Sequence, residues 1–223
     1  MPRRARRSLQ GAAFHVMNRA IRGTILFETT DDYLAFVRVV REALAKYTIK
    51  IISYNLMPNH WHLVIICQSV LELSRCMQWL EGTHANRWNG AHGTRGRGAV
   101  YQGRFKSVPV QKSRSLIRLC RYVERNALRA GLVTTAEAWR WSSVYAYCNK
   151  CDDIPLEKWP IPRPLSWVEF VNTPETEKEL NALRDAIRRN HPIGSAAWSA
   201  AVAPFVGLTL RRKGRPKGRP KKK

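Results

Sequence analysis

Two histidines separated by one residue, His60 and His62, are the first feature of the sequence that could do chemistry. Residues i and i+2 of a β-strand project to the same face, so two imidazoles at this spacing can converge on one metal ion. The pair follows Pro58 and Asn59 and begins an apolar run, as at the start of a buried strand after a tight turn. The spacing alone is weak evidence, because ordinary strands also carry such pairs.

A second set of chemically capable side chains falls on one predicted helix. Arg118, Tyr122 and Asn126 are spaced four residues apart within 113–130, so they share one helix face. That face presents a guanidinium, a phenol and an amide, and Gly131 follows as a helix-ending residue. The alternative interpretation is a partly buried tyrosine beside an ordinary polar surface.

The stretch from Gly82 to Val123 contains no Asp or Glu. Interleaved with its cations are Trp88, Tyr101 and Phe105, so the stretch combines positive charges for phosphates with rings for base stacking. A solvated basic loop is the competing interpretation. The nine basic residues of this stretch are Arg87, Arg95, Arg97, Arg104, Lys106, Lys112, Arg114, Arg118 and Arg121.

The elements that must position these residues follow from hydrophobic periodicity. The strand at 60–67 is apolar on both faces, which predicts an interior strand of the sheet. The order β-α-β-β-α-β-α predicts an α+β fold of the ferredoxin-like type, with helices on one face of an antiparallel sheet. The predicted strands are 12–22, 48–57, 60–67 and a strand or hairpin within 99–110, the predicted helices are 30–46, 70–88, 113–130 and 174–190, and 132–170 is predicted to be irregular.

The formal net charge of +23 points to a polyanionic partner, with nucleic acid first and an anionic membrane surface second. No apolar stretch approaches the length of a membrane span, and the basic start of the chain runs into no apolar signal segment. A membrane-surface protein is disfavoured because the sequence predicts no basic helix with a broad apolar face outside the core. The five cysteines lack framework spacing and predict reduced thiols in a cytoplasmic protein.

The chain divides into three predicted parts: a catalytic domain at 1–150, an extension at 151–210 and a disordered basic tail at 211–223. The tail has nine basic residues and no acid, and it repeats Gly-Arg-Pro around Arg215 and Arg219. Such repeats resemble AT-hook peptides, which place arginine in the minor groove of A/T-rich duplex DNA. Non-specific phosphate binding is the alternative.

With these features in view, the chain resembles the REP-associated tyrosine transposases, which belong to the single-tyrosine class of His-hydrophobic-His (HUH) nucleases. Four blocks carry the resemblance, in this order and at this spacing: 57–64 (MPNHWHLV), 101–107 (YQGRFKS), 122–133 (YVERNALRAGLV) and 141–143 (WSS).

The resemblance implies a ferredoxin-like nuclease domain, a divalent metal (Mg²⁺ or Mn²⁺) and single-stranded DNA hairpins of REP type as substrate. By position, His60 and His62 match the family's metal-binding pair and Tyr122 its nucleophile. Asn126 stands where related transposases have Gln as third ligand, so it is one methylene shorter. The resemblance also implies a bacterial, nucleoid-associated protein in the cytoplasm, which we expect to be a monomer, with a dimer as the alternative.

The sequence therefore predicts a metal-dependent endonuclease and strand-transferase that cleaves through a 5′-phosphotyrosine intermediate. The predicted DNA-binding residues are Arg87, Arg95, Arg97, Arg104, Lys106, Arg118, Arg121, Arg125, Arg215 and Arg219. The rival hypothesis is a non-catalytic DNA-binding or architectural regulator that keeps the fold, which the large charge, the tail and Asn126 favour. A relaxase or replication initiator would share the chemistry, but the short chain has no helicase or primase segment.

Overall fold

The structure is a computed structural model that describes residues 12–21 and 24–206. Tail residues Arg215 and Arg219 therefore lie outside the described residues. In chain order the elements are β1 (Ala12–Arg19), α1 (Thr30–Lys46), β2 (Ile49–Met57), β3 (His60–Cys67), α2 (Val70–Ala91), β4 (Lys106–Val110), α3 (Arg114–Glu124), α4 (Asn126–Arg129), α5 (Ser143–Asn149), α6 (Trp167–Asn172), α7 (Glu177–Arg189) and α8 (Ala196–Val202).

The sheet contains four antiparallel strands in the order β2-β3-β1-β4. Strand β3 is interior, as its two apolar faces predict. Its register places His62 opposite Met17 on β1 and opposite Asn55 on β2. A bulge between Ile51 and Ser53 changes the alternation of β2 and brings Ser53 opposite Val64, on the face that carries His62.

One face of the sheet is covered by α1 and α2. Phe14, Trp61 and Leu63 point to this side and belong to one buried cluster with residues of both helices. Helix α1 begins at a capping box, in which the Thr29 hydroxyl accepts from the Asp32 backbone and Asp32 accepts from the Thr29 backbone. This face is the main aromatic core of the molecule.

The other face is covered by α3, α6 and α7. Val64 and Val108 of the sheet form a second cluster with Leu119 of α3, Trp167 of α6 and Ile187 of α7. The predicted α+β class and antiparallel sheet are confirmed, but the expectation of helices on a single face describes only α1 and α2. The face of Val64 is too apolar to be left in water.

Two further boundaries differ from the sequence expectation. The helix predicted over 113–130 is broken at Arg125, where α3 ends and α4 begins. Gly131 follows with φ of +71°, the left-handed conformation expected at a helix end. The segment 132–170, predicted to be irregular, contains α5 and the start of α6.

Within 12–21 and 24–206, no helix is long and apolar enough to cross a membrane. The boundaries at 150 and 210 remain predictions. Helices α6 and α7, which lie in the predicted extension, pack against the same sheet as α3.

Candidate active site

The candidate active site is a cleft at the end of the sheet where β3 begins. Its volume is about 560 Å³, and His60, His62, Tyr122 and Asn126 all line it. The two histidines enter from β3, Tyr122 enters from α3, and Asn126 enters from the first turn of α4. The four residues singled out from the sequence therefore meet in one place.

The two imidazoles lie on the same face and leave one nitrogen each for a ligand. Their ring centroids are 4.9 Å apart with the rings nearly perpendicular. Nδ1 of His60 lies 2.6 Å from Oδ1 of Asn59, so it donates there and leaves Nε2 as the nitrogen with a lone pair. Nε2 of His62 is buried without a hydrogen-bond partner.

A third histidine, His15 of β1, contacts His62. Its Nε2 lies 2.9 Å from Nδ1 of His62, and the two rings are stacked with centroids 5.1 Å apart. If the proton between them sits on His62, the Nε2 lone pair of His62 is free toward the cleft. A metal-binding histidine is commonly oriented by an acceptor on its other ring nitrogen, and His15 Nε2 stands in that place here.

Burial keeps all three histidines neutral. Removal from water, reinforced by the charge of Arg19, lowers the pKa of His60 to about 4. Burial and then the neighbouring His60 lower the pKa of His15 to about 3. Burial, followed by the charges of His60 and His15, sets the pKa of His62 well below its ordinary value. Neutral imidazoles are the form that binds metals.

Tyr122 is half-buried at the wall of the cleft. Its ring centroid lies 6.3 Å from that of His62, in an edge-on arrangement. The guanidinium of Arg129 lies over the Tyr122 ring at 4.4 Å and donates a hydrogen bond to the Tyr122 carbonyl at 2.9 Å. This cation–π contact and hydrogen bond hold the Tyr122 ring at the wall of the cleft.

Asn126 presents its amide nitrogen to His60, with 3.4 Å between Asn126 Nδ2 and His60 Nε2. The amide oxygen lies 3.5 Å from the Arg129 guanidinium. To serve as a third metal ligand, the amide would have to turn over, which exchanges nitrogen and oxygen without changing its shape.

The donor set fits a divalent metal through the two imidazoles. The orphaned Nε2 of His62 supports this fit, because an unpaired buried nitrogen is costly unless a ligand satisfies it. Across the described ranges, no group of three or more His, Cys, Asp or Glu side chains could hold a metal ion. Besides the Tyr122 phenol, the side-chain oxygens that line the cleft are those of the amides of Asn18, Gln102 and Asn126.

The walls of the cleft are strongly basic. Among the predicted DNA-binding residues, Arg104 and Lys106 line it. The other lining cations were not predicted: they are Arg19, Arg129, Arg184 and Arg188.

Four predicted DNA-binding arginines instead make contacts within the protein. Arg87 forms an ion pair with Glu42 at 2.6 Å, and Arg118 pairs with Glu179 at 3.5 Å. Arg121 is buried and donates to the Thr173 carbonyl, while Arg125 donates to the Val171 and Asn172 carbonyls and pairs with Glu175.

None of these four lines the cleft. Arg95 and Arg97 lie exposed in the loop after α2, also away from the lining residues. The DNA-binding roles assigned to all six remain predictions.

The missed cations had faint signals in the sequence. Arg129 lies seven residues after Tyr122, which is two helical turns and therefore a shared face. Arg184 and Arg188 are four residues apart on a helix with a polar exterior, but nothing in the sequence brings that helix to the cleft.

A protein-family model described as "Transposase IS200 like" matches residues 8–126. This match covers more than half of the chain and includes both histidines, Tyr122 and Asn126. No curated protein matches the chain.

Nine chains of solved structures also match. A REP-associated tyrosine transposase bound to a REP hairpin has a TM-score of 0.56 and 14% identity over 75% of this chain and 97% of the other. A putative transposase from Deinococcus radiodurans has a TM-score of 0.38 and 17% identity over 56% of this chain and 96% of the other. The first of these similarities shows a shared fold.

Proposed function

Because the chain belongs to the IS200-like transposase family, we propose that it cleaves and rejoins single-stranded DNA through a covalent bond to Tyr122. The observation that carries this proposal is the meeting of the Tyr122 phenol with two ligand-ready imidazoles in one basic cleft. The fold resemblance to a transposase bound to a REP hairpin supports a hairpin substrate of that kind.

Tyr122 acts as the nucleophile. Its phenolic oxygen attacks a backbone phosphorus, the bond from phosphorus to the 3′ oxygen breaks, and that oxygen takes up a proton to become a free 3′-OH. The phenolic proton leaves to solvent, and the 5′ phosphate remains bonded to Tyr122. The phosphotyrosine conserves the energy of the phosphodiester, so a 3′-OH can later reverse the reaction without ATP.

Arg129 favours this step in two ways. Its cation–π contact holds the Tyr122 ring in the cleft, and its hydrogen bond to the Tyr122 carbonyl holds that part of α3 in place. Burial lowers the pKa of Arg129, yet a guanidinium stays charged at neutral pH.

His60 and His62 would hold a divalent metal, Mg²⁺ or Mn²⁺, with Asn126 as the third protein ligand. When bound, such a metal supplies a Lewis acid for the phosphate and for the charge that develops on the leaving oxygen. Imidazoles are softer ligands than Mg²⁺ prefers, so we expect Mn²⁺ to support greater activity in vitro.

The cations of the cleft bind the strand. Arg104 and Lys106 line the cleft together with Arg184 and Arg188 of α7, so the phosphates of a single strand can bind along these four cations. Outside the cleft, we propose that the tail at 211–223 adds affinity for A/T-rich duplex DNA, and that the protein acts as a monomer in the bacterial cytoplasm near the nucleoid.

The direct test incubates the protein with a labelled hairpin oligonucleotide and Mn²⁺, then separates the products in SDS. Wild type is expected to give a protein–DNA adduct that survives SDS, and Tyr122→Phe is expected to give none. Leu132→Ala, at an exposed position outside the cleft, serves as the control and should react like wild type. An undiminished adduct in Tyr122→Phe would remove Tyr122 from the role.

A non-catalytic DNA-binding protein is the second candidate, favoured by the nitrogen that Asn126 turns toward His60. Such a protein would bind the hairpin equally well in EDTA and would form no adduct with Mn²⁺. A metal-dependent nuclease would form the adduct in Mn²⁺ and would form none when EDTA is present from the start.

A further inference from the structure

Glu124 is a fully buried carboxyl group that the proposed chemistry does not use. It is 1% exposed and ends α3, two residues after Tyr122 and two before Asn126. It therefore sits at the break between the helix of the nucleophile and the turn that carries the proposed third ligand.

Three donors from three separate elements hold this carboxyl. Oε1 of Glu124 accepts from Ser53 at 2.9 Å and from Ser143 at 2.6 Å, and Oε2 accepts from the indole nitrogen of Trp167 at 2.7 Å. Ser53 belongs to β2, Ser143 to α5 and Trp167 to α6. All three partners are buried.

The backbone of the same junction is tied to the strand beside the histidines. The Asn55 amide donates to the Val123 carbonyl at 3.0 Å and to the Glu124 carbonyl at 3.3 Å. Such carbonyls at the end of a helix need partners from outside it. Asn55 pairs with His62 in the sheet register, so one β2 residue links the junction to a histidine of the cleft.

A buried carboxyl is an expensive way to stabilise a fold. Apolar residues of similar volume often do as well as a buried charged network, whereas such a network fixes one geometry through its directional hydrogen bonds. The arrangement around Glu124 is therefore suited to specifying where the junction lies.

We propose that Glu124 is a positioning residue: its carboxyl, held by Ser53, Ser143 and Trp167, fixes the break between α3 and α4 and so sets Tyr122 and Asn126 relative to the histidine pair. This inference rests on the proposed function for its catalytic consequence. It also gives a role to the Trp-Ser-Ser block at 141–143, whose last serine contacts Glu124.

Some of the residues that position Tyr122 then lie beyond the family match, which ends at residue 126. Ser143 and Trp167 both lie after that point. Helix α6 is then part of the apparatus that orients the nucleophile, although it falls in the segment that the sequence assigns to an extension.

The test measures the single-turnover rate of adduct formation at saturating hairpin and Mn²⁺ in Glu124→Gln, Glu124→Ala and Trp167→Phe. A small displacement of reacting groups can slow a reaction by about a hundredfold, so we expect losses of about tenfold or more. Hairpin affinity in EDTA should stay within about twofold of wild type, because no cation of the cleft is changed. Glu124→Gln keeps the shape and should lose less than Glu124→Ala.

The matched control is Trp139→Phe. It also removes an indole donor, from a half-buried tryptophan whose nitrogen bonds to the Leu56 carbonyl at 2.9 Å, away from the junction. We expect Trp139→Phe to lower thermal stability without slowing the reaction, and Trp167→Phe to lower both thermal stability and the reaction rate.

A second readout does not depend on activity. Amide hydrogen exchange of the segment 121–130 should accelerate in Glu124→Gln and Trp167→Phe and remain unchanged in Trp139→Phe. Equal rates and equal exchange in the control and in the Glu124 variants would overturn the inference. If wild type formed no adduct, the proposed function would fail, and the exchange experiment would still decide whether Glu124 fixes the junction.

Discussion

The two faces of the sheet bury very different side chains. The face under α1 and α2 packs Phe14, Phe36 and Trp61 into an apolar core. The face under α3 and α6 buries His15, His62 and Glu124 among its apolar residues. Since buried polar groups cost free energy unless they are satisfied, we expect the first face to contribute more to stability and the second to carry the proposed chemistry.

The difference is clearest along β3, where two neighbouring residues point to opposite faces of the sheet. Trp61 is fully buried on the α1–α2 face, and His62 faces the cleft. Substitutions at these two positions should therefore separate stability from activity.

The largest effect is expected for His62→Ala. Loss of the proposed metal ligand, and of the charge stabilisation that the metal would supply, should slow adduct formation by about a hundredfold or more. The free energy of unfolding should fall by no more than about 2 kcal/mol, because the substitution also removes an unsatisfied buried nitrogen. Rate measurements in Mn²⁺ and urea unfolding without metal check both parts. A His62→Ala protein that reacts at the wild-type rate would contradict the metal site.

Trp61→Ala should show the opposite pattern. Removing a fully buried indole is expected to lower the free energy of unfolding by about 3–5 kcal/mol. The part of the protein that stays folded should still form the adduct. Urea unfolding together with the rate per folded molecule measures this, and a rate as low as that of His62→Ala would show that the two faces are not separable.

The cations of α7 should affect binding and leave the fold intact. We expect the double variant Arg184→Ala, Arg188→Ala to weaken hairpin binding in EDTA by about tenfold and to reduce its salt dependence. Arg189→Ala is the matched control, because Arg189 lies on the same helix but does not line the cleft. Equal losses in the control would mean that only the total charge of the protein matters.

The smallest effect concerns pH. The pKa of His60 is about 4 and that of His15 about 3, both below the ordinary value of about 6.5. Between about pH 6.5 and these values the unfolded chain binds more protons than the folded chain, so stability is fully present above that range and falls as pH falls.

His15→Leu removes one of the groups that take up a proton on unfolding. The free energy of unfolding, measured with urea, should therefore decline less steeply between about pH 6.5 and about pH 4. Phe14→Leu, on the opposite face of the same strand, should keep the wild-type slope. An unchanged slope in His15→Leu would contradict the buried, neutral state of this histidine.

The sheet and its histidine pair could be predicted because both rest on short-range rules. Alternation with a period of two residues identifies the strands and puts His60 and His62 on one side. The interior place of β3 followed from its two apolar faces. Tyr122 and Asn126 could be placed on a helix by periodicity, and their meeting with the histidines was expected from the resemblance.

The features that were missed depend on tertiary packing. The break at Arg125 was not predicted, because the good helix formers Ala127, Leu128 and Arg129 follow Asn126 and continue the helical pattern. Arg121 is basic in sequence but is buried against Thr173 and Phe170, contacts that lie about fifty positions away along the chain. Arg184 and Arg188 lie on the helix predicted at 174–190, but the segment before it is rich in Trp and Pro without clear periodicity, so nothing in the sequence indicates where that helix packs.

The most direct test of the account uses one hairpin oligonucleotide carrying different labels at its two ends. After reaction with Mn²⁺, the covalent adduct should retain the 3′-end label, release the 5′-end label on a fragment with a free 3′-OH, and yield on proteolysis a peptide with the nucleotide bonded to Tyr122. An adduct that carries the 5′-end label, or one bonded to a different residue, would contradict a phosphotyrosine formed by Tyr122 beside the two histidines.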